Sequence, residues 1–135
     1  MRIMAIDYGD ARTGVAVSDE SATLVGEAWV VFSKRENEVA QAIANEAASR
    51  EVSRIVVGYP KNMDGSVGPR AEKSELFAEL LRVRCGVDVE LWDERMTTIS
   101  AQRVLTEVGK FGKKRKKTVD AVAASLILES YLGSL

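Results

Sequence analysis

Acidic residues lie at three places where the sequence predicts that a strand ends or a helix begins. Asp7 closes the apolar run MRIMAID and precedes the turn residues Tyr8-Gly9-Asp10. Asp93 and Glu94 end another apolar run, where alternation of side chains directs only one of them toward Asp7. Asp120 lies in the first turn of the last predicted helix, beside its apolar stripe. Together, the pattern predicts a metal site made of Asp7, Glu94 and Asp120, with Asp93 as the alternative ligand.

The sequence contains no histidine, so the most common general base and the most common zinc ligand are both missing. Its chemistry must therefore use carboxylates, lysines, hydroxyls or a bound metal. Carboxylates suit Mg²⁺ or Mn²⁺, and two such ions can support an in-line displacement at phosphorus. Any one of these acids could equally be a turn former or a helix cap. Three acids at one predicted sheet edge favour a site for two ions.

A basic run, KFGKKRKK at 110–117, carries six positive charges in a chain whose net charge is −1. Such a run can be a solvated loop, but this one directly precedes Asp120 and would bring a phosphate chain to that acid. Its only aromatic residue is Phe111, which favours contact with the backbone over reading of bases. The residues predicted to contact nucleic acid are Arg12, Arg70, Arg95, Lys113, Lys114, Arg115, Lys116 and Lys117.

Apolar periodicity predicts the elements that must position these side chains. Three successive strands form an antiparallel meander, and strands alternate with helices after it, which predicts an α/β fold: a five-stranded mixed sheet with helices on both faces. The strands are predicted at 1–7, 13–18, 26–32, 53–57 and 87–92. The helices are predicted from a capping box at Ser33 and Glu36 to about Arg50, from Ala71 to near Gly86, from Thr97 or Thr98 to Gly109, and from Thr118 onward.

Length and composition set further limits. A chain of 135 residues with 46% hydrophobic residues can bury one core, so we expect a single domain, 1–135. No apolar run approaches the roughly 20 residues that cross a bilayer, and no signal-peptide pattern opens the chain, so we expect a cytoplasmic protein with no membrane contact. Cys85 is the only cysteine and is expected to be an inert thiol. The glycine-bearing loop 59–70 lacks the spacing of a nucleotide-binding motif, although it could present Ser66 and Arg70 to a phosphate.

Four motifs in order resemble the YqgF-type family, whose members are described as Holliday junction resolvases and as pre-ribosomal-RNA nucleases. They are DYGDARTGVAVSD at 7–19, VGYPKNMDGS at 57–66, DERMTT at 93–98 and KKTVDAVAASLIL at 116–128. The resemblance covers nearly the whole chain. It implies an RNase H-like fold and a metal site made of Asp7, an acid of the 93–95 motif and Asp120. It also implies a bacterial cytoplasmic nuclease that processes the end of the 16S ribosomal RNA precursor, with cleavage of branched DNA as the alternative.

The sequence departs from the better-known junction resolvases of this fold, which place an acid at the exit of the fourth strand. Gly58-Tyr59-Pro60 occupies that position here, so the middle ligand must come from the fifth strand. Two other classes of function stay open: an RNA-binding factor without catalysis, and a phosphate-binding ATPase, although actin-like kinases need two lobes. A homodimer would suit a two-fold junction, and a monomer would suit an RNA end.

Overall fold

A five-stranded sheet with the order β3-β2-β1-β4-β5 forms the centre of the molecule in a computed structural model that describes residues 1–97 and 112–135. Strands β1 to β3 are antiparallel neighbours, and β4 and β5 run parallel to β1, which confirms the predicted mixed sheet. The strands are β1 Arg2–Asp7, β2 Arg12–Ser18, β3 Val25–Phe32, β4 Val52–Tyr59 and β5 Asp88–Asp93.

Helices cover both faces of this sheet, as predicted. They are α1 Glu36–Ser49, α2 Pro69–Arg84 and α3 Gly112–Gly133, with a short 3₁₀ helix at Glu94–Thr97. Helices α1 and α2 pack on one face and α3 packs on the other. The helix predicted to end at Gly109 falls outside the described residues. Among the helices that the structure describes, none has the length and apolar character needed to span a membrane.

Strand β1 supplies side chains to two separate core layers. Ile3 and Ala5 pack with α3, whereas Met4 and Ile6 pack with α1 and α2, and all four are fully buried. Burying such aliphatic side chains stabilises the fold by roughly 1.5 to 3 kcal/mol each for the larger ones. Because side chains alternate along a strand, Asp7 falls on the α3 face. The strong burial of β1 therefore fixes the direction of the acid at its end.

The start of α1 corrects one prediction. The capping box at Ser33 and Glu36 does not form, because the helix begins at Glu36 and Arg35 is its N-cap without a side-chain cap hydrogen bond. Ser33 instead accepts a hydrogen bond from the backbone N–H of Arg35 through its hydroxyl, which donates in turn to Glu38. The serine thus makes a local turn before the helix, a competing use of the same hydroxyl.

The start of α3 corrects another prediction. The helix begins at Gly112 rather than at Thr118, so the run Lys113 to Lys117 belongs to the helix and not to a loop. Lysine and arginine are good helix formers, and a charged run by itself therefore does not predict a loop. Asp120 consequently lies in the third turn of α3 and is not held at a helix N-terminus. Likewise, α2 begins at Pro69, where proline is favoured in a first turn, and this shortens the predicted loop.

Candidate metal and nucleic-acid site

Asp7 lies between two glycines on the neighbouring strands. Gly14 of β2 is the direct partner of Asp7 in the antiparallel pair. Gly58 of β4 follows Val57, which is in register with Ile6. Since neither glycine has a side chain, backbone and side-chain atoms from other elements can approach the sheet on both sides of the acid.

Helix α3 uses the space at Gly14. A Cβ atom added to Gly14 would lie 2.1 Å from the backbone oxygen of Asp120 and 3.3 Å from the Cβ of Ala124. The helix therefore packs directly against the backbone of β2, and this contact brings Asp120 beside Asp7. The two carboxylates are close enough for each other's charge to matter, because Asp120 raises the pKa of Asp7.

Glu94 uses the space at Gly58. A Cβ atom added there would lie 2.6 Å from Cδ1 of Ile127 and 2.9 Å from Oε2 of Glu94. Glu94 follows the end of β5, and its carboxylate extends over β4 toward Asp7. The negative charge of Asp7 is one of the causes that raise the pKa of Glu94.

Asp93 is bound elsewhere. Its Oδ2 accepts hydrogen bonds from Nε and Nη2 of Arg95 at 2.9 and 2.6 Å, and its Oδ1 accepts the backbone N–H of Arg95 at 3.0 Å. The hydrogen bond from the Arg95 side chain holds the pKa of Asp93 below its usual value. Of the two acids that the sequence left open, the structure therefore brings Glu94 to Asp7. The guanidinium of Arg95, predicted to contact nucleic acid, is held by Asp93 in this arrangement.

The acids around Asp7 resist ionisation. Burial is the main cause that raises the pKa of Asp7 to about 6, with a further contribution from Asp120. Burial, followed by the charge of Asp7, raises the pKa of Glu94 to about 7. Burial also raises the pKa of Asp120, against the lowering effect of Arg12 and Arg70. Arg70 lowers the pKa of all three acids, so its positive charge acts on the whole group.

One oxygen of Asp120 has no hydrogen-bond donor among the described residues. Nε of Arg12 lies 3.1 Å from Oδ2 of Asp120, but this ion pair does not have the alignment of a hydrogen bond. Arg12 lowers the pKa of Asp120, so its positive charge offsets part of the cost of burying this oxygen, and a bound cation would offset more.

The donor set suits a hard divalent ion. The three acids offer only oxygen ligands, which Mg²⁺ and Mn²⁺ prefer, and their shared burial would be relieved by added positive charge. Within residues 1–97 and 112–135, no three acidic side chains are grouped tightly enough to hold one ion. Asp7 interacts electrostatically with Asp120 on one side and with Glu94 on the other. Asp7 therefore lies within electrostatic range of both other acids.

A cleft of about 340 Å³ opens beside Asp120. Its lining consists of residues 8–11 from the turn between β1 and β2, Arg12 at the start of β2, Arg70 and Lys73 from α2, and Asp120 from α3. We call it the hairpin cleft. Two of the cations predicted to contact nucleic acid, Arg12 and Arg70, line it, while the side chains of Lys113 to Lys117 lie outside the described part of the structure.

Sequence reasoning missed Lys73, whose Nζ lies 2.9 Å from Oδ1 of Asp10 across the hairpin cleft. Lys73 is one of several charged residues on α2, and nothing in its spacing distinguishes it from the others. Only the docking of α2 beside the β1–β2 turn reveals its position.

Comparisons with known proteins agree with this architecture. The model of a family described as "RuvX: Holliday junction resolvase" matches residues 1–134. A protein of Halothermothrix orenii named "Putative pre-16S rRNA nuclease" is 47% identical over 132 residues, which cover 98% of this chain and 94% of the relative. A protein of Listeria monocytogenes with the same name is 43% identical over 134 residues, covering 98% of this chain and 97% of the relative.

A solved structure of Thermus thermophilus RuvC in complex with a Holliday junction substrate is similar in fold. It superposes with a TM-score of 0.66 at 15% sequence identity, covering 99% of this chain and 96% of that chain. The Holliday junction resolvase of fowlpox virus, at 15% identity, gives a TM-score of 0.57 over the whole of both chains. The fold is therefore RNase H-like, as the sequence motifs implied.

Proposed function

The chain belongs to the RuvX family of Holliday junction resolvases, and we propose that it is a metal-dependent nuclease that hydrolyses phosphodiester bonds of structured nucleic acid. We propose further that residues 1–135 form one nuclease domain. The observation that carries the proposal is that Asp7 interacts electrostatically with both Glu94 and Asp120, and that burial raises the pKa of all three acids. Neighbouring buried carboxylates are typical ligands of divalent cations.

The proposed substrate is the precursor of 16S ribosomal RNA, cleaved near an end during ribosome biogenesis in the cytoplasm. Its support is the name carried by relatives that are 43% to 47% identical over nearly the full chain. A four-way DNA junction is the second candidate, because the family description names it. A monomer would suit the RNA end, and a homodimer would suit the two-fold symmetry of a junction.

Each acid has a proposed role. Asp7, Glu94 and Asp120 would hold the divalent ions, Mg²⁺ or Mn²⁺, and Asp7 would be common to a two-ion site because it interacts electrostatically with both other acids. When bound, the ions supply activation of the attacking water and neutralisation of the leaving oxygen. Gly14 and Gly58 allow the acids to approach one another, and the buried setting strengthens every charge interaction among them.

The basic residues have a separate proposed role, which is to hold the nucleic-acid backbone. Among the basic residues whose side chains the structure describes, Arg70 is the best placed, because its charge acts on all three acids and would also act on a phosphate bound there. Arg12 lines the hairpin cleft beside Asp120. The run Lys113 to Lys117 precedes Asp120 on α3 and would add attraction for phosphates that depends on salt.

The test is cleavage of a structured 16S precursor RNA and of a four-way DNA junction in Mg²⁺ or Mn²⁺. We expect Asp7→Asn to lower the rate by at least about a hundredfold, because a ligand common to both ions is lost. Asp88→Asn is the matched control, since it removes an exposed acid at the opposite end of β5. Cleavage that survives Asp7→Asn or EDTA would contradict the proposal, and nucleic-acid binding without any metal-dependent cleavage would favour a binding factor instead.

A further inference from the structure

The hairpin cleft borders the proposed metal site: Asp120 lines it, whereas Asp7 and Glu94 do not. We infer that it is a subsite for a second backbone phosphate of the nucleic acid, one that neighbours the cleaved phosphate, and that Lys73 binds this phosphate after leaving Asp10. The inference rests on the proposed nuclease function, because it assigns the cleft to the same substrate strand.

The charges of the hairpin cleft suit an anion that carries one negative charge. Three cations line it, Arg12, Arg70 and Lys73, against the two acids Asp10 and Asp120. The carboxylate of Asp10 is 80% exposed and the ammonium side chain of Lys73 is 56% exposed. An ion pair this exposed contributes only roughly 0.2 to 1 kcal/mol, so a phosphate can replace Asp10 as the partner of Lys73 at little cost.

The position of the cleft identifies which phosphate it would hold. Asp120 lines the cleft and also interacts electrostatically with Asp7, so the cleft and the proposed metal site share a wall. A volume of about 340 Å³ gives room for a phosphate and its sugar. A strand whose cleaved phosphate lies at Asp7 would therefore place an adjacent phosphate in the cleft.

Two observations show that the cleft has fixed walls. Tyr8, at the start of the turn, stacks on Phe77 of α2 with ring centroids 4.2 Å apart, and Phe77 is fully buried in the core. Arg70 and Lys73 are three residues apart on α2, so both side chains emerge on the same side of the helix. The Tyr8–Phe77 contact keeps the turn against α2 independently of the Lys73–Asp10 ion pair, and substitutions in that pair should leave the cleft in place.

Removing the acid Asp10 is expected to increase the affinity for nucleic acid, and removing the base Lys73 is expected to decrease it. Because Asp10 competes with the phosphate for Lys73, Asp10→Asn should tighten binding of nucleic acid by about twofold to fivefold. Lys73→Ala should weaken binding about threefold and lower the slope of log affinity against log salt by about one contact. Glu79→Gln is the matched control: it removes the same charge from an exposed acid on α2, one that pairs with Arg82, and should leave the affinity unchanged.

Fluorescence anisotropy measures the affinity of the full chain for a structured RNA and for a four-way DNA junction. The measurements are made in EDTA at salt concentrations from roughly 50 to 200 mM. An Asp10→Asn variant that binds no more tightly than Glu79→Gln would overturn the subsite, as would a Lys73→Ala variant with the wild-type salt slope. These results do not depend on cleavage. Failure of the proposed nuclease function would appear separately, as cleavage that does not require Asp7.

A ligand-side measurement locates the phosphate. Substrates carrying one neutral methylphosphonate, moved step by step away from the cleavage position, should show one adjacent position where the wild-type affinity falls about threefold. At that position the Lys73→Ala variant should lose no further affinity, because the two changes remove the same contact. Losses that simply add at every position would contradict the assignment of Lys73.

Discussion

Two clefts at opposite ends of the sheet contain similar residues but differ in how their charges are balanced. The opposite cleft, about 290 Å³ in volume, lies where β1 begins and is lined by Arg2, residues 17–19, Gly26, Glu27 and Arg50. There Arg50 pairs with Glu27 and Glu46 and lies 4.4 Å from the centre of the Trp29 ring.

The charge of Asp19 in the opposite cleft is likewise matched by partners of the protein itself. It accepts hydrogen bonds from the backbone of Thr23, the hydroxyl of Ser21 and the backbone of Leu24, and these lower its pKa. At the other end of the sheet, the pKa values of Asp7 and Glu94 are raised. The two clefts are similar in size, so size does not mark the candidate site in this molecule; carboxylates whose ionisation the fold opposes do mark it.

The largest expected effect is on cleavage. Glu94→Gln should lower the rate on the preferred substrate by about a hundredfold or more, because the amide keeps the shape but loses the charge that a divalent ion needs. Glu27→Gln makes the same change in the opposite cleft and should leave the rate unchanged. Equal rates for the two variants, measured in Mg²⁺ under single-turnover conditions, would remove the distinction between the two ends of the sheet.

The next effect is on stability, and it compares a glycine from each cleft region. Gly14→Ala should lower the free energy of unfolding by about 1 to 3 kcal/mol, because the new methyl group would meet the backbone of α3 at 2.1 Å. Gly26→Ala should change it little, since its nearest atom would be 3.4 Å away. Urea denaturation followed by circular dichroism measures both, and a Gly14→Ala variant as stable as Gly26→Ala would show that α3 does not need this close approach.

The third effect, comparable to that of Gly14→Ala only at high pH and smaller below it, is the dependence of stability on pH. Asp7 has a pKa of about 6 in the folded protein against an ordinary value of 3.8, so the folded state holds this proton more tightly than the unfolded state. Its contribution to stability is therefore greatest at low pH and falls as the pH rises from about 4 to about 7. In EDTA at pH 8, Asp7→Asn should raise stability by about 1 to 3 kcal/mol, a gain that shrinks toward pH 4.

Asp19→Asn should change stability in the opposite direction from Asp7→Asn. The lowered pKa of Asp19 means that its ionised form favours the folded state. The substitution should destabilise the protein at pH 8, and its effect should fade as the pH falls below about 4. Thermal unfolding of both variants in EDTA measures the contrast. Adding Mn²⁺ should then raise the melting temperature of the wild type but not that of Asp7→Asn.

Local patterns predicted the sheet and its central acid well. Alternation in β1 and the turn after it placed Asp7 at a strand end on sequence evidence alone, and the mixed strand order followed from the order of elements. Which of Asp93 and Glu94 approaches Asp7 was harder to predict, because the ion pair between Arg95 and Asp93 that accompanies the choice is not visible in the local pattern. Whether Lys73 belongs to the site depends on how α2 docks beside the turn, a tertiary contact that leaves no local signal.

The errors have a common physical origin. A serine before a helix can either cap it or form a local turn, and a run of lysines can lie in a loop or in a helix, so side-chain type alone predicts neither outcome. The Ser33 hydroxyl makes a turn with Arg35 and Glu38. The lysines extend α3, because their intrinsic helix propensity is high.

The contact of α3 with Gly14 also has a consequence for how the molecule is made. Asp7 belongs to the first strand and Asp120 to the last helix, so they meet only when distant parts of the chain come together. In a partly synthesised chain that has assembled strands β1 to β4, Asp7 would still be hydrated and would have the ordinary pKa of an aspartate. Docking of α3 then dehydrates that acid and brings a second one to it, so during synthesis on the ribosome we expect the chain to stay inert toward the cell's RNA until its last helix has docked.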